Sequence, residues 1–276
     1  MRDCRGSKGG HTKVIEKQIP YESFSDVFKL KPLFDLHIGH SLSDRVGFKQ
    51  YLSDIDDKTF IIGGGDILDS IIVQDPRFRK GLDASETEAI IDDQIDEAYE
   101  LLKPYRDKII CMGIGNHEQE VVKRHGTNPM KRLCKALDCE YMGLSYLLAL
   151  KLRHPKNGHG RRYICYVHHG FGGGSRTEGG EITKYSRFIM SWDADAYLVG
   201  HGHTKHHKAI TRGYHGGSKM LSRNLQLCLC GSFKKNLTDD ETTTWEESCG
   251  FPLRSIGGLT LKLRPTRDWV DVKVEG

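Results

Sequence analysis

Residues 59–66 read Thr-Phe-Ile-Ile-Gly-Gly-Gly-Asp, an apolar run followed by three glycines and a carboxylate. A β-branched and aromatic run bounded by glycine spells a short strand. The glycines let backbone approach closely whatever Asp66 holds. The same figure recurs along the chain. Residues 27–34 run into Asp35-Leu36-His37, and residues 108–112 stop at Gly115-Asn116-His117-Glu118. Residues 162–167 lead to His168-His169-Gly170, and residues 194–199 to Gly200-His201-Gly202-His203. In open α/β sheets, ligands gather at the carboxyl ends of strands. Five loops can therefore deliver carboxylate, imidazole and amide groups to one point.

Helical periodicity fills the intervals. Val46, Phe48, Tyr51, Leu52 and Ile55 fall on one face, as do Ile90, Ile91, Ile95, Ala98, Leu101 and Leu102 of a helix expected over residues 84–102, where Pro104 ends the pattern. Residues 130–137 and 181–192 read as two more helices. Residues 144–152 form a strand joined to 162–167 through Pro155-Lys156-Asn157-Gly158, and 209–212, 225–230, 258–263 and 270–274 read as later strands. Alternating helices and strands followed by a run of strands predict an α/β fold. The expected architecture is a four-layer α/β/β/α sandwich of two mixed sheets flanked by helices. Residues 1–22, charged and glycine-rich, are expected to be disordered or loosely attached, and residues 23–276 to form a single domain.

Composition narrows the function classes. The chain has 276 residues and a formal net charge of +4, which permits an anionic substrate without marking a nucleic-acid binder. Its eight cysteines show no paired C-x-x-C spacing, and several lie inside apolar strands. They read as reduced thiols packed in the core, the pattern of a reducing compartment. No apolar stretch has the length of a membrane span or of a signal peptide core. The expectation is a soluble protein of the cytoplasm (the host's, if phage-encoded), with no membrane partner and an oligomeric state the sequence leaves open.

Each loop offers a particular chemistry. Asp35 and His37, two residues apart in extended chain, project to one side. Asp66 is read as a carboxylate bridging two ions, with Asp69 behind it. Asn116 can ligate through a neutral carbonyl, and the adjacent His117 can reach substrate. His168 is taken as the fourth-loop ligand, with His169 the alternative. His201 and His203 complete the set. The glycine-rich stretch 172–180 could cradle an anion, with Arg176 as a charged clamp on the substrate.

Taken in order, D-x-H, G-D-x-x-D, G-N-H-E, a strand-end histidine and G-H-x-H resemble the calcineurin-like metallophosphoesterase family, and its phage and bacterial members in particular. The resemblance spans Asp35 to His203. Ser70 stands where an arginine often follows the second motif, which argues against the Ser/Thr protein phosphatase branch. The resemblance implies two divalent transition-metal ions, with manganese first and iron, zinc or nickel as alternatives. Asp35, His37, Asp66 and His203 would hold one, and Asp66, Asn116, His168 and His201 the other. It further implies a phosphoester hydrolase, phosphodiesterase before phosphomonoesterase, that uses a metal-bridging hydroxide as nucleophile. His117 would be the catalytic residue, contacting the phosphate and protonating the leaving group. The alternatives are a nuclease of the same fold, whose partner would be a nucleic acid or nucleotide, and a non-catalytic scaffold.

Overall fold

The computed structural model describes residues 13–72, 75, 77–78, 90–156, 158, 160–173, 175, 177–238 and 241–276. The chain opens with β1 (Lys13–Pro20), β2 (Phe28–Leu33), α1 (Arg45–Tyr51) and β3 (Thr59–Gly63). Then come α2 (Ile90–Leu102), β4 (Ile109–Gly113), α3 (Asn116–His125), α4 (Pro129–Leu137) and β5 (Glu140–Gly143). β6 (Ser145–Arg153), β7 (Gly160–His168), α5 (Glu178–Ser191) and β8 (Ala196–Val199) follow. The last part holds β9 (Lys205–Gly216), β10 (Lys219–Ser232), α6 (Trp245–Ser248), β11 (Gly257–Gly258), β12 (Thr260–Pro265) and β13 (Val270–Glu275).

Two mixed sheets face each other. One has the order β13-β12-β2-β3-β4-β5, and the other β1-β6-β7-β8-β10-β11 with β9 paired to β10. β2 through β5 run parallel, as do β7, β8 and β10. Strands buried on both faces need apolar residues at consecutive positions, and alternation sends neighbours to opposite layers. Leu30, Ile62, Cys111, Val167, Leu198 and Cys228 pack between the sheets. Leu33, Ile61 and Met112 turn outward against Ile95, Leu102 and Leu133 of α2 and α4. Tyr166, Tyr197 and Leu227 turn outward on the second sheet against Tyr185 and Phe188 of α5. The result is the expected four-layer sandwich.

Several boundaries differ from the sequence reading. Residues 13–20, expected in a loose leader, form β1, which pairs in parallel with β6 over its full length. The exposed, charged side of that edge strand disguised it. The segment after Asn116, read as a loop, is the start of α3. Its first turn carries polar side chains, and only Val121 is apolar and buried along its length. Residues 84–89, expected to begin α2, lie outside the described residues. The described cysteines are all free, and five of them are buried. No described helix is long and apolar enough to cross a membrane.

Candidate metal centre

The parallel strands β2, β3 and β4 of one sheet, and β7 and β8 of the other, end at the same edge of the sandwich. The loops after β2 and β3 run side by side. The amide of Asp35 donates to the carbonyl of Gly65, and that of His37 to the carbonyl of Asp66. The loops after β3 and β4 meet backbone to backbone. A Cβ on Gly65, which has φ +103°, would stand 2.3 Å from the nitrogen of Gly115. Glu118, fully buried, ties these two loops together. Its carboxylate accepts from the amides of Gly115 (2.8 Å), Leu68 (3.0 Å) and Asp66 (3.1 Å). Burial, followed by the charge of Asp66, pushes Glu118 up to about 7.

Backbone strain is concentrated here. Asp35, His37, Asp66, His201 and His203 all have φ between 49° and 68°. Non-glycine residues seldom adopt that region, and such outliers cluster at functional sites. The only other described non-glycine residues with positive φ are Ser70 and Asp138.

Three overlapping groups of side chains bring donor atoms within 4.8 Å of one another. They are Asp35, His37 and His203; His37, Asp66 and His117; and Asp66, His169 and His201. Asn116 joins the third, with its Oδ1 2.9 Å from Nε2 of His169 and 2.7 Å from Nδ1 of His201. Asp66 belongs to two of these groups.

The protonation pattern tests whether these residues suit a cation. Nδ1 of His169 lies 3.1 Å from the Gly64 carbonyl, and Nε2 of His201 lies 2.6 Å from the Gly172 carbonyl. A carbonyl only accepts, so each of those nitrogens carries a proton. In the neutral ring the other nitrogen then presents a lone pair. Those lone pairs face Oδ1 of Asn116, and His169 Nε2 also faces Oδ2 of Asp66 at 3.2 Å. His37 repeats the arrangement. Nδ1 faces Oδ1 of Asp69 at 3.1 Å, and Nε2 faces Nε2 of His203 at 3.1 Å. Oδ1 of Asp35 is buried with no hydrogen-bond partner among the described residues. Lone pairs converging in a dry place require positive charge between them. Oriented imidazoles backed by carbonyls and a carboxylate are the usual surroundings of a metal.

Titration follows from the same geometry. Burial holds His37 well below its usual range, with His117 and His203 adding to the effect. Burial also lowers His201 and takes His117 down to about 4. Burial opposes the charged form of His169 too, but Asp66 outweighs it and raises His169 to about 9, so without a cation a proton on Nε2 takes the place facing Asp66. Asp66, despite complete burial, is held well below the carboxylate range by His169 and His117.

His168 does not join the groups. Its half-buried ring lies over Phe188 with centroids 5.0 Å apart, and its Nδ1 accepts from the Gly170 amide at 2.8 Å. β7 continues through His168 in register with Ser145 and Val199. Alternation therefore sends Tyr166 and His168 outward to α5, and Val167 and His169 inward. The fourth-loop position expected for His168 is taken by His169. Arg176, the expected clamp, lies outside the described residues. His117 lies beside Asp66, with its Nδ1 2.6 Å from the Asp69 carbonyl and its Nε2 4.0 Å from Asp66 Oδ2.

A cavity of about 290 Å³ opens over these groups, and Arg77, Lys234, Asn236, Phe251 and Arg254 form part of its wall. Each wall cation has a carboxylate partner: Arg77 with Asp75, Lys234 with Glu246, and Arg254 with Glu181. The sequence reading did not single out Lys234. It stands two residues past the end of β10, the same strand-end signal that marked the donors.

No family model matches the chain, and no curated protein matches it. Among solved structures, the chain is similar to Vacuolar Protein Sorting 29 from Cryptosporidium parvum, with 11% identity, 90% of this chain and 97% of that chain covered, and a TM-score of 0.39. It is also similar to Vps29 from Chaetomium thermophilum, with 14% identity, coverage of 92% and 96%, and a TM-score of 0.34. A conserved uncharacterized protein from Streptococcus pneumoniae, titled a predicted phosphoesterase, shows 11% identity, coverage of 90% and 89%, and a TM-score of 0.33.

Proposed function

We propose that the chain is a dinuclear metal-dependent phosphoester hydrolase that favours phosphodiesters and also accepts monoesters. The observation that carries this reading is the convergence of imidazole, carboxylate and amide lone pairs, with the rings of His37, His169 and His201 each oriented from behind by a fixed acceptor. Asp35, His37, Asp66 and His203 would hold one ion, and Asp66, Asn116, His169 and His201 the other. That donor mixture suits manganese, iron, zinc or nickel better than magnesium or calcium, and manganese is our first choice. When bound, such a pair of ions supplies Lewis-acid polarisation of a phosphoryl group and a water acidic enough to attack it at neutral pH.

The remaining work falls to the chain. Asp69 and the carbonyls of Gly64 and Gly172 fix the rings of His37, His169 and His201. Arg77, Lys234 and Arg254 line the cavity and favour an anionic ligand. The cavity extends beyond the donors to Asn236 and Phe251, which leaves room for the second ester arm of a diester. His117 projects into the same space and is the residue we assign to the phosphoryl oxygen and the leaving group. Since burial keeps it uncharged at neutral pH, a substrate's negative charge must draw a proton onto Nε2 before it can act as an acid. The free buried thiols suit the cytoplasm.

The test is hydrolysis of bis-p-nitrophenyl phosphate and p-nitrophenyl phosphate by protein reconstituted with each ion, with Asn116→Ala as the control. Metal-dependent turnover that is faster on the diester and lost in the variant is expected. Protein that binds two ions yet turns over neither ester would overturn the reading.

A further inference from the structure

Immediately past the metal centre the chain enters a long two-stranded ribbon. β9 starts two residues after His203 and is 12 residues long, and β10 returns over 14 residues to Ser232. The hydroxyl of Ser232 bonds the Asp35 carbonyl, so both ends of the ribbon are rooted at the donors. At ~3.4 Å per residue the ribbon is about 40 Å long. Beyond Arg212 it leaves the sandwich, and residues 213–222 are exposed on both faces.

Its charge is one-sided. From Ala196 to Thr238 there is no aspartate or glutamate, although the whole chain carries 37 acidic residues against 41 basic ones. Register and alternation place four of the five lysines and arginines of β9 and β10 on one face, Lys205 being the exception. Arg212 lies opposite Arg223, Gly216 opposite Lys219, and Lys208 opposite Leu227. Lys208, Arg212, Lys219 and Arg223 therefore all project to the same side. Like charges facing each other across strands are unfavourable. Asp193 and Asp195, at the root, offset the arginine pair through Arg223 at 3.2 and 3.1 Å. Lys208 and Lys219, both exposed, have no ion-pair partner among the described residues. Gly213 opposite Ser222 and Gly216 opposite Lys219 keep the projecting part thin.

We propose that this ribbon binds duplex DNA, lying in the major groove with Lys208 and Lys219 on the phosphates, and that the ester delivered to the metal centre is a DNA phosphodiester. The groove of B-DNA accepts a two-stranded ribbon, whereas the narrow groove of duplex RNA does not. The projecting residues 213–222 carry no carboxylate, which complements a phosphate backbone. The substrate half of the proposal rests on the hydrolase reading, and the binding half does not.

The test is fluorescence anisotropy of the full chain with a short fluorescein-labelled DNA duplex, in chelator so that nothing is cut, over roughly 50 to 200 mM salt. Lys208→Glu with Lys219→Glu should weaken binding by about tenfold or more and lower the log–log salt slope by about two, one for each lost phosphate contact. The double variant should keep wild-type turnover of bis-p-nitrophenyl phosphate and the wild-type melting temperature. Wild-type protein that ignores the duplex, or a double variant that binds it equally well, would overturn the proposal even if the small diester is hydrolysed. Charge-dependent binding without hydrolysis of any ester would sink the hydrolase reading and leave the DNA-binding ribbon standing.

Discussion

His37 and Asp69 face each other at 3.1 Å, Nδ1 to Oδ1, behind a ring whose Nε2 meets Nε2 of His203 at the same distance. Asp69 does not border the cavity, and it fixes which nitrogen of His37 can serve as a donor. Removing such an orienting carboxylate typically costs 10–100-fold in metal affinity. Asp69→Ala should keep both ions bound at high metal concentration and lose about 10–100-fold in Mn²⁺ affinity, measured by competition with a chelating dye. Unchanged affinity would show that Asp69 plays no part in orienting His37.

His117 differs from its neighbours because its Nε2 looks into the cavity while its Nδ1 is committed to the Asp69 carbonyl. His117→Ala should retain metal stoichiometry and lose about 10²–10⁴-fold in turnover of alkyl phosphodiesters, the range of general acid catalysis. Good leaving groups such as p-nitrophenolate should be much less affected, since they need no proton. Equal losses on both substrates would refute the acid role.

Gly115 has no room for a side chain. A Cβ there would stand 2.0 Å from Oδ1 of Asp66 and 2.4 Å from its backbone nitrogen. Gly115→Ala must therefore part the loops after β3 and β4. It should cost about 1–3 kcal/mol in urea unfolding, as overpacking does, and reduce metal uptake with it. A variant with wild-type stability and uptake would mean that these loops are free to separate.

The strand ends were legible because a strand buried on both faces must be apolar throughout, so polar residues mark where it stops. That signal located Asp35, His37, Asp66, Asn116, His201 and His203. It could not choose between His168 and His169, because the choice depends on which face of β7 looks between the sheets. Tyr166 and Val167 are both apolar and both buried, so the sequence alone does not tell the two faces apart. Arg254 was missed for another reason. It reaches the cavity from the segment between α6 and β11, whose placement depends on how the two sheets pack, a relationship no local pattern records. β1 escaped because an edge strand with one exposed face carries charges where a central strand carries valine and isoleucine.

Acid should destabilise the metal-free protein well above the ordinary carboxylate range. Burial depresses His37, His40 (to about 2), His117 (to about 4), His168 (to about 4) and His201. A group with a depressed folded pKa contributes stability that is present above its unfolded pKa and lost as pH falls toward the folded value. For these histidines the loss begins near the ordinary 6.5. Two groups at the site, His169 and Glu118, run the other way. His169, raised to about 9, contributes stability that is complete below 6.5 and lost only as pH rises through 9. Glu118, raised to about 7, gains as pH falls from 7 to its usual 4.5 and offsets one histidine. Five histidines against one glutamate leave a net loss. The urea midpoint in chelator should therefore fall steadily from pH 7 to pH 5. The same protons compete with bound ions, so metal affinity should decline over the same interval. A midpoint that stays flat or rises between pH 7 and 5 would mean that these rings are solvated rather than packed, and that the donor atoms are not held in place before a cation arrives.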